Sequence, residues 1–168
     1  MSEKNFNEYE AIVKEAVEQN KDTFIENSTI EHARVLTVYL LKQANKIIRI
    51  FTGTLPELFY TDKRIKESFE EAIKNKRTIQ IIVEDKNNIP QYFKNLIKEK
   101  KIEIRENNSK NVKNHFFLSG KKAFKVELPH EKNNFNGIRG KANFNNRELG
   151  LHIFNIFDEL WGKSKLIS

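Results

Sequence analysis

Between residues 115 and 143 lie an imidazole (His115), two ammonium groups (Lys125 and Lys141), a guanidinium (Arg139), a carboxylate (Glu127) and a carboxamide (Asn143). Gathered around one point, two or three cations with an amide and an imidazole suit a phosphate or phosphodiester, and a carboxylate can hold the imidazole in one tautomer. Whether they gather is a question of strand register. Residues 114–118 and 122–128 read as strands separated by Ser119-Gly120, a hairpin signal, and 138–144 reads as a third strand after an Asn-rich loop. If Leu118, Ser119 and Gly120 form the turn, with Gly120 left-handed, Phe117 pairs with Lys121 and His115 with Ala123. Alternation then sets Phe116, Leu118, Phe124, Val126 and Leu128 on a core face and His115, Lys125 and Glu127 on the other. A two-residue turn is the competing register and would push His115 toward Phe124 and the core. In the third strand Gly140, Ala142 and Phe144 share one side, with Arg139, Lys141 and Asn143 opposite; if the faces align, all six polar groups surround one spot.

The elements that must position this hairpin follow from hydrophobic period. Residues 5–26 read as an acidic amphipathic helix with a thin stripe of Phe6, Tyr9, Val13, Ala16 and Val17. Ser28 followed by Glu31 fits a capping box, opening a mostly buried helix over 29–45. The apolar runs 47–52 and 78–83 read as central strands, with helices at about 62–75 and 90–99 and a short strand at 102–105. Residues 146–161 form a closing core helix. The order strand, helix, strand, helix, strand predicts an α/β sandwich with a mixed, mostly parallel sheet and helices on both faces. The expected organisation is an N-terminal helix, 1–27, followed by one domain, 28–168.

Composition bounds the function. The formal charge is +7, yet Lys, Asn, Ile and Phe are over-used together, as an AT-rich coding sequence would give, so basicity alone says little. Its distribution says more. Residues 1–32 hold eight acids against three bases, whereas Lys94 to Lys141 holds thirteen bases against five acids, a layout that concentrates anions near that surface. With no cysteine and four scattered histidines, no zinc or other metal site and no cofactor is expected. No apolar run is long enough to cross a bilayer and no signal peptide is present, so the expectation is a soluble cytoplasmic protein with no membrane contact.

At the hairpin the chain resembles the phospholipase D-like superfamily, in which one strand carries H-x-K with an acid farther on and a later strand carries G-S-x-N. His115-Phe116-Phe117 stands where H-x-K would be, and Gly140-Lys141-Ala142-Asn143 where G-S-x-N would be. The strand at 47–52 with the segment after it, the strand at 78–83 and the closing helix also resemble that fold, so the likeness spans about residues 30–162. The resemblance implies a two-histidine phosphodiesterase site, one histidine attacking phosphorus and the other protonating the leaving group, which single-motif members complete by homodimerisation. Only His115 and Asn143 are retained. Phe117 replaces the motif lysine, Lys122 the acid and Lys141 the serine.

Losing that lysine removes a cation from beside the developing phosphorane charge, a term of about 3–4 kcal/mol for one group. The simpler expectation is therefore a degenerate, non-hydrolytic domain that keeps the fold and a phosphate pocket of Asn143, Lys141, Lys125 and Arg139, with Glu127 orienting His115. Its expected partner is nucleic acid, within an intracellular nuclease or host-defence assembly by analogy. Two alternatives stand beside it. One is an active, metal-independent nuclease using His115 in a homodimer; the other is an adaptor that contacts a protein through helix 5–26. His32 reads as a packing histidine, His130 as solvated and His152 as surface. Trp161 reads as core or dimer packing, and Phe51, Phe59 and Tyr60 as core filling beside a crevice.

Overall fold

The computed structural model describes residues 3–107, 114–127 and 139–168. Leu128, His130 and the start of the segment expected at 138 lie outside the described residues. The chain runs through α1 (Glu3–Glu18), β1 (Ile25–Asn27), α2 (Ile30–Gln43), β2 (Ile47–Thr52), α3 (Glu57–Tyr60), α4 (Lys63–Lys74) and β3 (Thr78–Val83). It continues through α5 (Gln91–Lys98), β4 (Glu103–Glu106), β5 (Phe116–Ser119), β6 (Ala123–Glu127), β7 (Gly140–Asn143), α6 (Arg147–Lys163) and β8 (Lys165–Leu166). All eight strands form one sheet in the order β1-β7-β6-β5-β2-β3-β4-β8.

Two pairings among the described residues, β2 with β3 and β3 with β4, are parallel; the other five are antiparallel. The expected mostly parallel sheet is thus corrected. Helical crossovers, which make strands parallel, end at β4, and the chain then returns by a hairpin and by edge strands that sequence periodicity did not reveal. One of these is β1. The helix expected over 5–26 stops at Glu18, with Asn20 left-handed at φ 49°, and Ile25–Asn27 pairs antiparallel with β7. The helix is not a detached arm, because Val13 and Ala16 are buried in the same core as α2.

Helices cover both faces, as expected. On one side α1, α2, α4 and α5 bury Leu36, Leu40, Ile65, Phe69 and Phe93 against Ile48, Ile50, Ile81 and Ile104. On the other, α6 buries Phe157 and Leu160 against Phe51, Ile82, Leu118 and Phe124. The strict alternation of Ile50 and Phe51 between the two layers is the period-2 geometry of a strand covered on both faces. At the start of α2 the cap is Thr29, which accepts from the His32 amide at 3.1 Å, and not Ser28. Glu31 serves Arg34 and Arg64 instead of closing a capping box.

Candidate functional site

The β5–β6 hairpin pairs Phe117 with Lys125 and Ser119 with Ala123, so its loop is Gly120 to Lys122, two residues later than expected. Gly120 does take the left-handed conformation, at φ +67°. Because the shift between expected and observed pairing is even, every face assignment of the paired residues survives. Phe117 and, by alternation, Lys125 and Glu127 share the side covered by α2, Phe116, Leu118, Phe124 and Val126 pack toward α6, and the His115 ring, just ahead of β5, lies 5.8 Å from the ring of Phe51. The two-residue turn does not form.

β7 is where the expected site comes apart. Phe124 pairs with Asn143, Lys125 with Ala142 and Val126 with Lys141. Asn143 and Lys141 therefore stand on the α6 side with Phe124 and Val126, across the sheet from Lys125. The physical reason is close approach. A Cβ on Gly140 would come within 2.7 Å of the Val126 carbonyl oxygen and 2.8 Å of Asn27 Oδ1, and Ala142 is fully buried, so the two smallest residues must face the crowded side. Asn143 is fully buried in a structural role. Its Nδ2 donates to Asp22 Oδ1 at 2.8 Å and its Oδ1 accepts from the Asn145 amide at 2.9 Å, tying the α1–β1 link to the turn before α6. Lys141 Nζ lies 3.0 Å from Glu26 Oε1, and Arg139 is exposed just ahead of β7.

What remains converges beside the C-terminal end of β2, where open α/β sheets hold ligands. His115 Nε2 lies 3.2 Å from Glu84 Oε2, beside Gly53, where a Cβ would sit tightly, 3.0 Å from His115 Cε1 and 3.2 Å from that carboxylate oxygen. Lys125, 3% exposed, gives its ammonium to Glu127 Oε1 at 2.6 Å and lies 5.5 Å from the centre of the Phe59 ring. Tyr60, hydrogen-bonded to Thr52, closes the corner; burial pushes its phenol well above the ordinary range and the Glu127 carboxylate adds to the shift. Glu127 thus holds Lys125, and Glu84 faces the imidazole; Tyr60, read from the sequence as core filling beside a crevice, lines this corner, while Glu84 and Thr52 are site residues that sequence reasoning missed. The cross-strand partner expected for Phe117, Lys121, gives way to Lys125.

The half-open space lined by Thr52, Tyr60, His115, Lys125 and Glu127 is about 20 Å³, room for about one water molecule. In this corner two carboxylates face one ammonium and one imidazole.

The opposite end of the sheet is basic. β2, β3 and β4 are parallel and are all entered from that end, and the hairpin tip joins them there, with the Gly120 amide donating to the Ile47 carbonyl at 3.0 Å. Lys46, Lys76, Lys98, Lys100, Lys101 and Lys121 are exposed on these turns. Among the described residues of the same turns the acid is Glu99, held by Lys101 at 2.6 Å. Among the described residues there is no cluster of three or more His, Asp or Glu suited to a metal ion, and no helix is long and apolar enough to cross a membrane.

The remaining candidates are packing or surface residues, apart from Tyr60 in the corner described above. His32 stacks on Tyr9 with ring centroids 3.7 Å apart, His152 is exposed, and Trp161 stacks on Phe157 under the Arg105 guanidinium. Phe51, Phe59 and Tyr60 are all buried.

No family model matches the sequence, and no curated protein matches it either. Solved structures do. TrmBL2, an archaeal chromatin protein with a novel mode of DNA binding, superposes with a TM-score of 0.66 at 15% identity over 98% of this chain, which spans 64% of that protein's chain. Nuc of Salmonella typhimurium, a phospholipase D family member, gives 0.65 at 14% identity, covering 86% of this chain and 97% of its own. NucT of Helicobacter pylori gives 0.61 at 14% identity, covering 86% and 100%. Identities this low carry backbone architecture and leave side-chain chemistry open; the architecture is a phospholipase D-like fold.

Proposed function

We propose that this chain is a non-hydrolytic phospholipase D-like domain that binds a phosphate-bearing partner, nucleic acid first, along the basic end of its sheet. The observation that carries this reading is the separation of charge along the strands. Exposed lysines project from four turns at one end, and carboxylates hold the imidazole and the ammonium at the other. A nucleic-acid backbone presents negative charges in series, and cations spaced over successive turns meet them without reading bases.

The pairing supports the non-hydrolytic reading. A phosphorane needs preorganised donors aimed at its oxygens, and here the buried ammonium already faces Glu127 at 2.6 Å. The fold shared with a DNA-binding chromatin protein is in keeping with this reading. A recognition role in an intracellular nuclease or host-defence assembly would suit such a domain and rests on fold analogy alone.

The test is a salt titration of binding to single- and double-stranded DNA and RNA in excess EDTA. Affinity is expected to fall linearly on a log–log plot, and the double variant Lys46→Glu/Lys121→Glu to flatten the slope by about one to two. No binding at about 50 mM salt, or a slope indifferent to both substitutions, would sink the proposal and favour the adaptor role for α1.

A further inference from the structure

Helices α1, α4 and α5 end in the same way. In each, a left-handed residue follows the helix, and two amides fold back on the last-turn carbonyls. After α4, Lys76 N donates to Ile73 O and Arg77 N to Ala72 O; after α5, Lys100 N donates to Ile97 O and Lys101 N to Leu96 O. This is the Schellman arrangement, whose left-handed position is ordinarily glycine and otherwise asparagine. At α1 the residue is Asn20, in keeping with that rule. At α4 and α5 it is lysine, with φ of +56° and +53°, although a β-carbon is disfavoured there. Local strain accepted twice, by the same residue type at the same place, calls for a reason outside the backbone.

Both lysines stand at one groove. It has a volume of about 760 Å³, within the range of small-molecule sites, and lies at the N-terminal ends of β3 and β4, away from the His115 corner. Its floor is aliphatic, made by Ile73, Ile79, Ile97, Ile102 and Ile167, with no aromatic ring on which a base could stack. Its rim carries Lys76, Arg77, Lys98, Lys100 and Lys101, with Leu166 and Ser168 beside them; Lys101 is paired with Glu99 at 2.6 Å and Arg77 donates to the Leu41 carbonyl at 2.8 Å, and the acidic side chain of the lining, Glu103, is bound to Arg105 at 2.7 Å. An isoleucine trough under cations matches neither a sugar nor a stacked base. It matches an aliphatic chain ending in an anion.

We infer that this groove binds an amphiphilic anion, its aliphatic chain along the isoleucines and its carboxylate or phosphate head between Lys76 and Lys100. The inference goes beyond the nucleic-acid reading, because it requires the aliphatic floor that phosphate-backbone binding does not use.

The experiment is calorimetric titration of the full chain with laurate and with dodecyl phosphate below their micelle concentrations, beside butyrate, 1-decanol and inorganic phosphate. At least one long-chain anion is expected to saturate one site at about 10 μM, and the better head distinguishes a fatty-acid source from a phosphorylated one. Butyrate, decanol and phosphate should bind at least tenfold more weakly. Lys76→Gly/Lys100→Gly should raise the melting temperature while weakening the amphiphile tenfold or more. Ile97→Ser should abolish the chain-length preference and leave the salt-dependent nucleic-acid binding intact, so either reading can fail without the other. Absence of saturable binding of both long-chain anions at about 1 mM, affinity independent of chain length, or a double glycine variant that melts lower or binds as tightly would overturn the inference.

Discussion

Lys125 is the direct cross-strand partner of Phe117, so an ammonium group stands beside the one motif position that has lost its own. Its ammonium lies 2.6 Å from Glu127 Oε1, in a site where the lysine side chain is 4% exposed and the glutamate 19%. Removing one partner of such a pair strands the other in low dielectric, whereas replacing both by apolar groups costs little. Lys125→Met alone should therefore destabilise the fold by about 3 kcal/mol, and Lys125→Met/Glu127→Leu should recover most of that loss. Denaturant unfolding of the two single variants and the double variant checks this; additive losses would mean that the pair is not coupled.

The same pairing predicts no phosphodiesterase activity. With nucleic-acid or simple diester substrates in excess EDTA, the natural chain and His115→Ala should give equal background rates. Cleavage lost in the variant would restore the competing nuclease reading. Gly53→Ala offers an independent probe of this corner. The added methyl would sit 3.0–3.2 Å from the imidazole and Glu84, so these side chains have to give by a few tenths of an ångström; the variant should lengthen the His115–Glu84 contact with a small change in stability and remain equally inactive.

Most of the fold was legible in the sequence because it is written in periodicity. The runs at 47–52 and 78–83 are strands with those bounds, and the stripe Leu149 to Trp161 lies on α6. β1 and β8 were not legible, because three residues and two residues carry no measurable period and their pairing is decided by partners distant in sequence. The site was half legible. Within the hairpin, alternation places Phe117, Lys125 and Glu127 on one side whichever even register is chosen. Between β6 and β7 the sequence carries no short hairpin signal that fixes the register, and one residue of slip exchanges the faces. What decides it is the contact of Gly140 with the Val126 carbonyl and Asn27, and a lone sequence does not display that contact.

Asn143 tests that assignment directly. If it holds Asp22 and the Asn145 amide, Asn143→Ala leaves polar partners unsatisfied in the interior and should cost about 1–3 kcal/mol, with amide exchange accelerating in the α1–β1 link. Nucleic-acid affinity, measured well below the melting temperature, should be unchanged. The opposite pattern, weaker binding at unchanged stability, would return Asn143 to a phosphate site.

The stack of His32 on Tyr9 makes the docking of α1 sensitive to acid. The ring centroids are 3.7 Å apart and the Tyr9 hydroxyl donates to the Glu26 carbonyl at 3.0 Å, so the pair joins α1, α2 and β1. Burial holds the imidazole below its ordinary value of 6.5, which means that the folded chain prefers it neutral. The unfolded chain accordingly takes up the proton first as pH falls. The associated stability is complete above about 6.5 and is lost as pH falls toward and through the lower folded-state value. Glu31 and Asp62 titrate in a separate window. Burial raises both, but Arg64 and Arg34 outweigh it and hold them below the usual carboxylate range, so their contribution is lost only below about pH 4. The melting temperature should therefore fall in two steps on acidification. His32→Phe, which keeps the stack and removes the proton, should erase the upper step and leave the lower one; a variant whose upper step persists unchanged would show that another group controls it.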